Sequence, residues 1–266
     1  MTFEIRQTLP SDLDSLVRLL AQSGEAYGWC KEKWHHYYRD FPGGQAVSLS
    51  AVNTCNGEII GHFGMLPVTV PPYSSFQTHH VIVDRNNRDI RVILKLFSAS
   101  EAIAKERKAA FICGVPNQHL IKVANRLCGW KVLGYFHFSD VSTFDPSAYS
   151  KRYHFEYQGD WAPWKFGEGT YPFVHDYTKN DKTYKQLLKC DPNSKLTASN
   201  LGEQSINVWH PDNNSETDDQ GWCQPFYFQQ LCDDLPEDIF LIANWFVEMG
   251  DSDTFEVNKP WLKKDV

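Results

Sequence analysis

No run of eighteen apolar residues occurs in the chain, and the opening MTFEIRQTLPSDLDSL has neither a basic start nor an apolar stretch. No membrane span and no signal peptide are therefore expected, and the cytoplasm is the expected compartment. Paired cysteines are missing too. The seven (Cys30, Cys55, Cys113, Cys128, Cys190, Cys223, Cys232) are odd in number, scattered and never spaced CxxC. That argues against a disulfide framework and a structural zinc site, so reduced thiols and no metal are expected. Long basic runs are also lacking and net charge is −7. A nucleic-acid groove needs clustered Lys and Arg and is not expected here; free nucleotides stay open as ligands. What is present is 266 residues with 42% apolar content, enough for one large domain or two small ones with a real core.

Residues 2–8 alternate as a strand, and PSDLDSLVRLLAQS follows with Ser11 as expected N-cap, Asp14 closing a capping box, and Leu13, Leu16, Val17 and Leu20 at helical spacing. EKWHHYYRDFPGG puts Trp34, Tyr37, Tyr38 and Phe41 on one face of a short helix that Pro42 and the glycines stop. QAVSLSAVNTCNGEIIGHFGMLPVTV reads as two strands joined by an Asn56-Gly57 turn. A strand over 78–83, a polar turn and a helix to about 107 come next; then a strand AAFICGVPN broken by Gly114 and Pro116, a helix QHLIKVANRLC ending at Gly129, and strand character in WKVLGYFHFSDVSTF. Beyond residue 145 periodicity fades until DIFLIANWFVEM, which reads as a strand. Six of the nine tryptophans (Trp161, Trp164, Trp209, Trp222, Trp245, Trp261) lie in this stretch. The expected division falls near residue 145, with 146–266 a less regular second half packed on the first.

The stretch THHVIVDRNNRDIRVILKL, residues 78–96, delivers a strand into a helix N-terminus, where unpaired N–H groups and the positive end of the helix dipole make an anion site. Arg85, Arg88 and Arg91 add charge, so a pyrophosphate is the natural guest. The order of elements, with this turn, resembles the GNAT superfamily of acyl-CoA-dependent N-acyltransferases. The matching stretch is Arg88-Asp89-Ile90-Arg91-Val92-Ile93, in which Arg91 and Ile93 stand where the family has small residues. CGVPNQHLIKVANRLCGWKVLG is similar to the family's splayed strand, its following helix and the Gly-aromatic pair after it. The resemblance covers about residues 3–145 and implies 1–145 as an acyl-CoA-binding catalytic domain, with 146–266 as an extension covering the acceptor site. It implies an α/β fold with a mixed, largely antiparallel sheet, helices on both faces, and acyl-CoA as cosubstrate in a gap where strands 78–83 and 110–116 diverge. Val81, Val83, Arg88, Asp89, Arg91, Val92 and Asn117 would hold the cofactor. Gly114 and Pro116 suit a strand that must stop pairing.

Acyl transfer to an amine needs a general base, and an imidazole of ordinary pKa near 6.5 suits cytoplasmic pH. His79 and His80 lie on the strand leading into the turn; side-chain alternation lets only one of them face the gap. Counting back from Arg88, the resemblance places His79 where arylalkylamine members carry a catalytic His. A backbone N–H near His80 or Val81 would meet the oxyanion. Where many members have a proton-donating Tyr, this chain has Asn125, which could stabilise a departing thiolate. His62 and Met65, on the preceding strand, are expected to line the acceptor pocket, and Asp251 and Asp253, in GDSD, to bind the acceptor or to serve as turn residues. The pattern W…YYRDFPGG followed by GEIIGHFGMLP resembles members acting on bacterial surface-polysaccharide sugars. It implies a nucleotide-linked amino sugar as acceptor, against a peptide or polyamine, or against an inactive acyl-CoA-binding module.

Overall fold

The computed structural model describes residues 2–22, 28–87, 89–149, 152–157, 159, 161–166, 171–179, 182–190, 195–212 and 223–251. The first half runs β1 (Phe3–Gln7), α1 (Leu13–Ala21), α2 (Lys31–Tyr38), β2 (Val47–Asn53), β3 (Ile59–Val70), β4 (Tyr73–Val83), α3 (Ile90–Glu106), β5 (Phe111–Gly114), α4 (Gln118–Cys128) and β6 (Lys131–Val141). The Asn56-Gly57 hairpin forms, with Gly57 at φ +76° as such a turn requires. At the start of α1, Asp12 does the work expected of Ser11 and Asp14. Its carboxylate accepts from Leu9 N at 2.7 Å and from both terminal nitrogens of Arg6 at 2.6 and 2.9 Å, whereas Asp14 pairs with Lys31. The leading Pro10–Asp12 segment is a 3-10 turn, so the cap falls where the helix tightens rather than where its apolar period starts.

The second half is more regular than its sequence suggests. It adds β9 (Phe173–Lys179), β10 (Lys182–Lys189), β12 (Ile206–Asp212) and β13 (Cys223–Gln230) to one ten-stranded sheet of order β1-β2-β3-β4-β5-β13-β6-β12-β10-β9. Within that sheet, among the described residues, only β4–β5 and β10–β12 pair in parallel. Short strands β7 (Thr143–Phe144) and β11 (Leu196–Thr197) pair with each other, as do β8 (Tyr153–His154) and β14 (Trp245–Phe246); α5 (Trp161–Phe166) is a helix of under two turns. The strand expected over DIFLIANWFVEM is instead two 3-10 turns, Glu237–Phe240 and Ile242–Asn244, followed by β14. β13 joins β5 to β6, so residues from both sides of position 145 share the sheet.

Apolar clusters cover both faces. On one, the α1 leucines with Trp34, Tyr37 and Tyr38 of α2 pack against Leu66, Val68, Phe111, Phe228 and Trp245. On the other, Val92, Ile93, Leu96 and Phe97 of α3 pack against Leu49, Phe63, Ile112, Trp130 and Tyr227. Alternation explains the split: Phe111 and Cys113 join the first cluster and Ile112 the second. Each fully buried Leu or Phe contributes about 2 kcal/mol of transfer free energy. Among the described residues no helix is long and apolar enough to cross a membrane.

Candidate active site

β4 pairs with β5 only through Ser75, Phe76 and Gln77, facing Phe111, Ile112 and Cys113. Beyond Gln77 the two part, and among the described residues Thr78–Val83 has a sheet partner, β3, on one edge alone. Gly114 sits at the point of parting. A Cβ there would lie 2.1 Å from Thr78 Oγ1, which itself accepts from Tyr227 Oη at 2.7 Å. Glycine thus permits the close approach from which the strands splay, and Pro116 brings no N–H to resume pairing. From Val81 to Val83 the strand is half-buried. Val81 and Val83 turn their side chains to the α3 cluster while their backbone runs along the open edge.

A β-bulge interrupts the β3–β4 ladder at the same place. His62 faces Ile82 but Gly64 faces His79, so β4 carries one residue more than β3 across that step. His80 takes the strain at φ +51°. This overturns the expectation that alternation would separate the two histidines. Their rings lie 5.4 Å apart, both against Tyr37, at 5.8 Å for His79 and 4.7 Å for His80. Trp29 packs edge-on to His80 at 4.5 Å, and Tyr38 Oη is 2.9 Å from His80 Nδ1. Gly64 makes room for this arrangement, since a Cβ there would meet Tyr38 Oη at 2.0 Å and the His79 carbonyl at 2.5 Å.

His62 pins the bulge rather than lining an open pocket. Its Nδ1–H donates to the His80 carbonyl at 2.7 Å and Nε2 lies 2.9 Å from Ser48 Oγ. Burial lowers its pKa to about 4, against the opposing pull of the His80 carbonyl. Met65, also expected at the acceptor, is fully buried on the α3 side of the sheet, the face opposite to that of its chain neighbour Leu66. His79 is 3% exposed, and burial, then the nearby Lys165 charge, holds its pKa well below 6.5. Its Nε2 is 3.4 Å from Gln77 Oε1, and among the described residues its Nδ1 has no hydrogen-bond partner.

At the turn into α3, Asp89 is the N-cap, accepting from Arg91 N at 2.9 Å, and Val92 N donates to the Asp89 carbonyl. The Arg91 guanidinium folds back onto the Asp89 carboxylate, which this contact holds down to about 2. The Val92 side chain is in the core. Arg88 lies outside the described residues. Asn117 caps α4, its side-chain oxygen accepting from His119 N and Leu120 N at 3.0 and 2.8 Å. Asn125 donates through Nδ2 to the Trp130 carbonyl at 2.9 Å, closing the C-terminal turn of α4. Asp251 is 2% exposed and belongs to a buried ion cluster: its carboxylate takes Lys189 Nζ at 3.1 Å and Glu248 N at 2.8 Å, and Glu248 also pairs with Lys189. Asp251 thus closes a turn and a salt bridge. Asp253 lies outside the described residues. Burial raises Cys113 well above its ordinary value and Cys128 to about 11, so neither thiol is a ready nucleophile.

Sequence reasoning missed Gln77, Tyr157 and Lys165 near the imidazoles. The signal for Gln77 was there: Ser75, Gln77 and His79 set polar residues at period two, and all three lie in the buried middle of the strand. Among the described residues no three His, Cys, Asp or Glu side chains stand together as metal ligands.

Neither a protein-family model nor a curated protein sequence matches the chain. Solved structures do. A conserved protein of unknown function from Enterococcus faecalis V583, a probable N-acyltransferase, matches with TM-score 0.56 at 10% identity over 87% of this chain and 73% of that one. The GNAT-family N-acetyltransferase YhbS of Escherichia coli, in complex with CoA, matches with TM-score 0.40 at 20% identity over 49% and 69%. Glucosamine-6-phosphate N-acetyltransferase of Arabidopsis thaliana matches with TM-score 0.41 at 16% identity over 48% and 91%. The likeness, carried by the first of these, is one of fold alone: a mixed, mostly antiparallel sheet with helices.

Proposed function

We propose that the protein is an acyl-CoA-dependent N-acyltransferase whose acceptor is the amino group of a nucleotide-linked amino sugar. One observation carries the reading: an unpaired strand edge runs from a bulge that gathers two imidazoles to the N-terminus of a long helix. An extended, amide-bearing arm such as pantetheine can pair with that edge, its pyrophosphate reaching the amides of α3. The amine nitrogen then bonds to the thioester carbon, His79 takes the amine proton, an amide at the bulge meets the oxyanion, and the C–S bond breaks to release CoA thiolate. The neighbouring fold of a probable N-acyltransferase supports the reaction class. For the acceptor, support comes from the half-buried tryptophans beside the bulge, Trp29 against His80 and Trp164 against Tyr37, whose rings suit a sugar or base face.

The test is release of free thiol from acetyl-CoA with a panel of nucleotide-linked amino sugars, polyamines and peptides. Turnover with the first group is expected; turnover only with the others reassigns the acceptor, and acetyl-CoA binding without thiol release from any of them identifies a binding module. With an active acceptor in hand, His79→Asn should lower kcat by about 10² to 10⁴ and leave acyl-CoA affinity nearly intact. Because burial depresses the His79 pKa, wild-type activity should stay level as pH falls through 6.5 and drop only below it. A limb above 7 that moves with the acceptor's own pKa would report the acceptor ammonium. Near-normal turnover in His79→Asn would remove His79 as base.

A further inference from the structure

We propose that Gln77 is a positioning residue that fixes the tautomer of His79, leaving Nδ1 as the atom that takes the acceptor's proton; this rests on His79 being the base. The orientation is set from Asp251. Its backbone carbonyl can only accept, and Gln77 presents Nε2 to it at 2.5 Å, so the amide of Gln77 has one orientation. Oε1 must then face the other way, where Tyr157 Oη donates to it at 3.3 Å. Tyr157 is held as a phenol, its pKa pushed well up by burial and by Asp251, so it remains a donor. The third group at Oε1 is His79 Nε2, at 3.4 Å. An amide oxygen offers no proton, so in this contact Nε2 carries the hydrogen and donates.

A neutral imidazole with its hydrogen on Nε2 has its lone pair on Nδ1. That atom is the one that is buried and unpartnered. A buried nitrogen lone pair without a donor is costly in a resting protein, and a bound amine would supply the missing donor. In the reaction the amine N–H bond breaks as the N–C bond forms. The proton passes to Nδ1, giving an imidazolium that keeps its Nε2–H on Gln77 Oε1, and the C–S electron pair leaves with the thiolate. The imidazolium then returns its Nδ1 proton to thiolate or solvent. Because Asp251 lies in the turn closed by Lys189 and Glu248, the C-terminal part of the chain holds the orientation of the base.

The experiment is ¹⁵N NMR of the histidine-labelled protein, with His79 assigned by its loss in His79→Asn. The expected result for the wild type is the Nε2–H tautomer; an Nδ1–H tautomer overturns the proposal. In Gln77→Met, a mixed or reversed tautomer is expected, with kcat lowered at least about tenfold and KM for acyl-CoA unchanged, as when an imidazole loses its orienting partner. In Gln77→Glu, a carboxylate facing Nε2–H stabilises the imidazolium, so the acid limb should move to higher pH. An unchanged tautomer and kcat in Gln77→Met would also sink it. Loss of activity in His79→Asn is read separately, so failure of the base assignment and failure of the tautomer assignment remain distinguishable.

Discussion

His62, His79 and His80 each lose their water on folding, and for each that loss is the largest cause of a lowered pKa. For His62 the folded value is about 4, against an ordinary 6.5. The unfolded chain therefore takes up a proton at a pH where the folded chain refuses it. The stability that the neutral ring contributes is complete above 6.5 and is lost as pH falls from 6.5 towards 4. At about 1.4 kcal/mol per unit, His62 alone accounts for roughly 3 kcal/mol of that loss. Carboxylates held low by partners, Asp12 with Arg6 and Asp89 with Arg91, lose their contribution only below about 4, in a separate window. Glu248, raised by burial, works in the opposite sense, but as one group against three. Urea unfolding at pH 7 and at pH 5 should show stability falling steeply between them, and His62→Gln should flatten the slope. A wild type equally stable at both would mean that these imidazoles are not buried neutral.

On the proposed reading acyl-CoA binds at the junction of β4 with α3, and the charge arrangement there is mixed. Asp89 satisfies the helix as a cap but puts a carboxylate at the dipole's positive end, and it occupies the guanidinium of Arg91. Asn caps a helix as well as Asp does. Asp89→Asn should therefore leave melting nearly unchanged while freeing Arg91 and the N-terminal field for a pyrophosphate. Acyl-CoA affinity in calorimetry is expected to rise by about two- to fivefold, the gain shrinking with salt. Affinity lowered tenfold would place the pyrophosphate elsewhere. This junction was legible in the sequence because its signals are local: an apolar run, a polar turn with three arginines, then a helical period. Gly114 and Pro116 marked the splay for the same reason. The bulge was not legible, since one extra residue in a strand leaves the run of side chains looking unbroken, and only the pairing of Gly64 with His79 reveals it. The local partners of Met65, Asn117 and Asn125 were not legible either, because each is set by what it packs on or caps and not by its spacing.

At the scale of the molecule, the β13 strand decides how the two halves relate. Cys223–Gln230 escaped a sequence reading because it carries Pro225, which reads as a breaker, and because Phe226 and Phe228 pack into one cluster while Tyr227 packs into the other. A strand buried on both faces shows no alternation. Yet it pairs with β5 through Phe111–Gly114 and with β6 through Lys131–His137, and Tyr227 Oη holds Thr78 at the start of the splay. A fragment ending at residue 145 would leave β5 and β6 with facing, unpaired edges and strip Phe226, Tyr227, Phe228 and Trp245 from the two cores. Several buried aromatics at about 3 kcal/mol or more each exceed the whole stability of an ordinary domain. The fragment 1–145 should therefore fail to melt cooperatively and should aggregate through its open edges, whereas adding residues 223–251 as a separate peptide should restore at least part of the folded signal. A fragment that melted cooperatively and bound acyl-CoA without help would show that the first half folds alone, and that β13 extends a finished sheet instead of completing one.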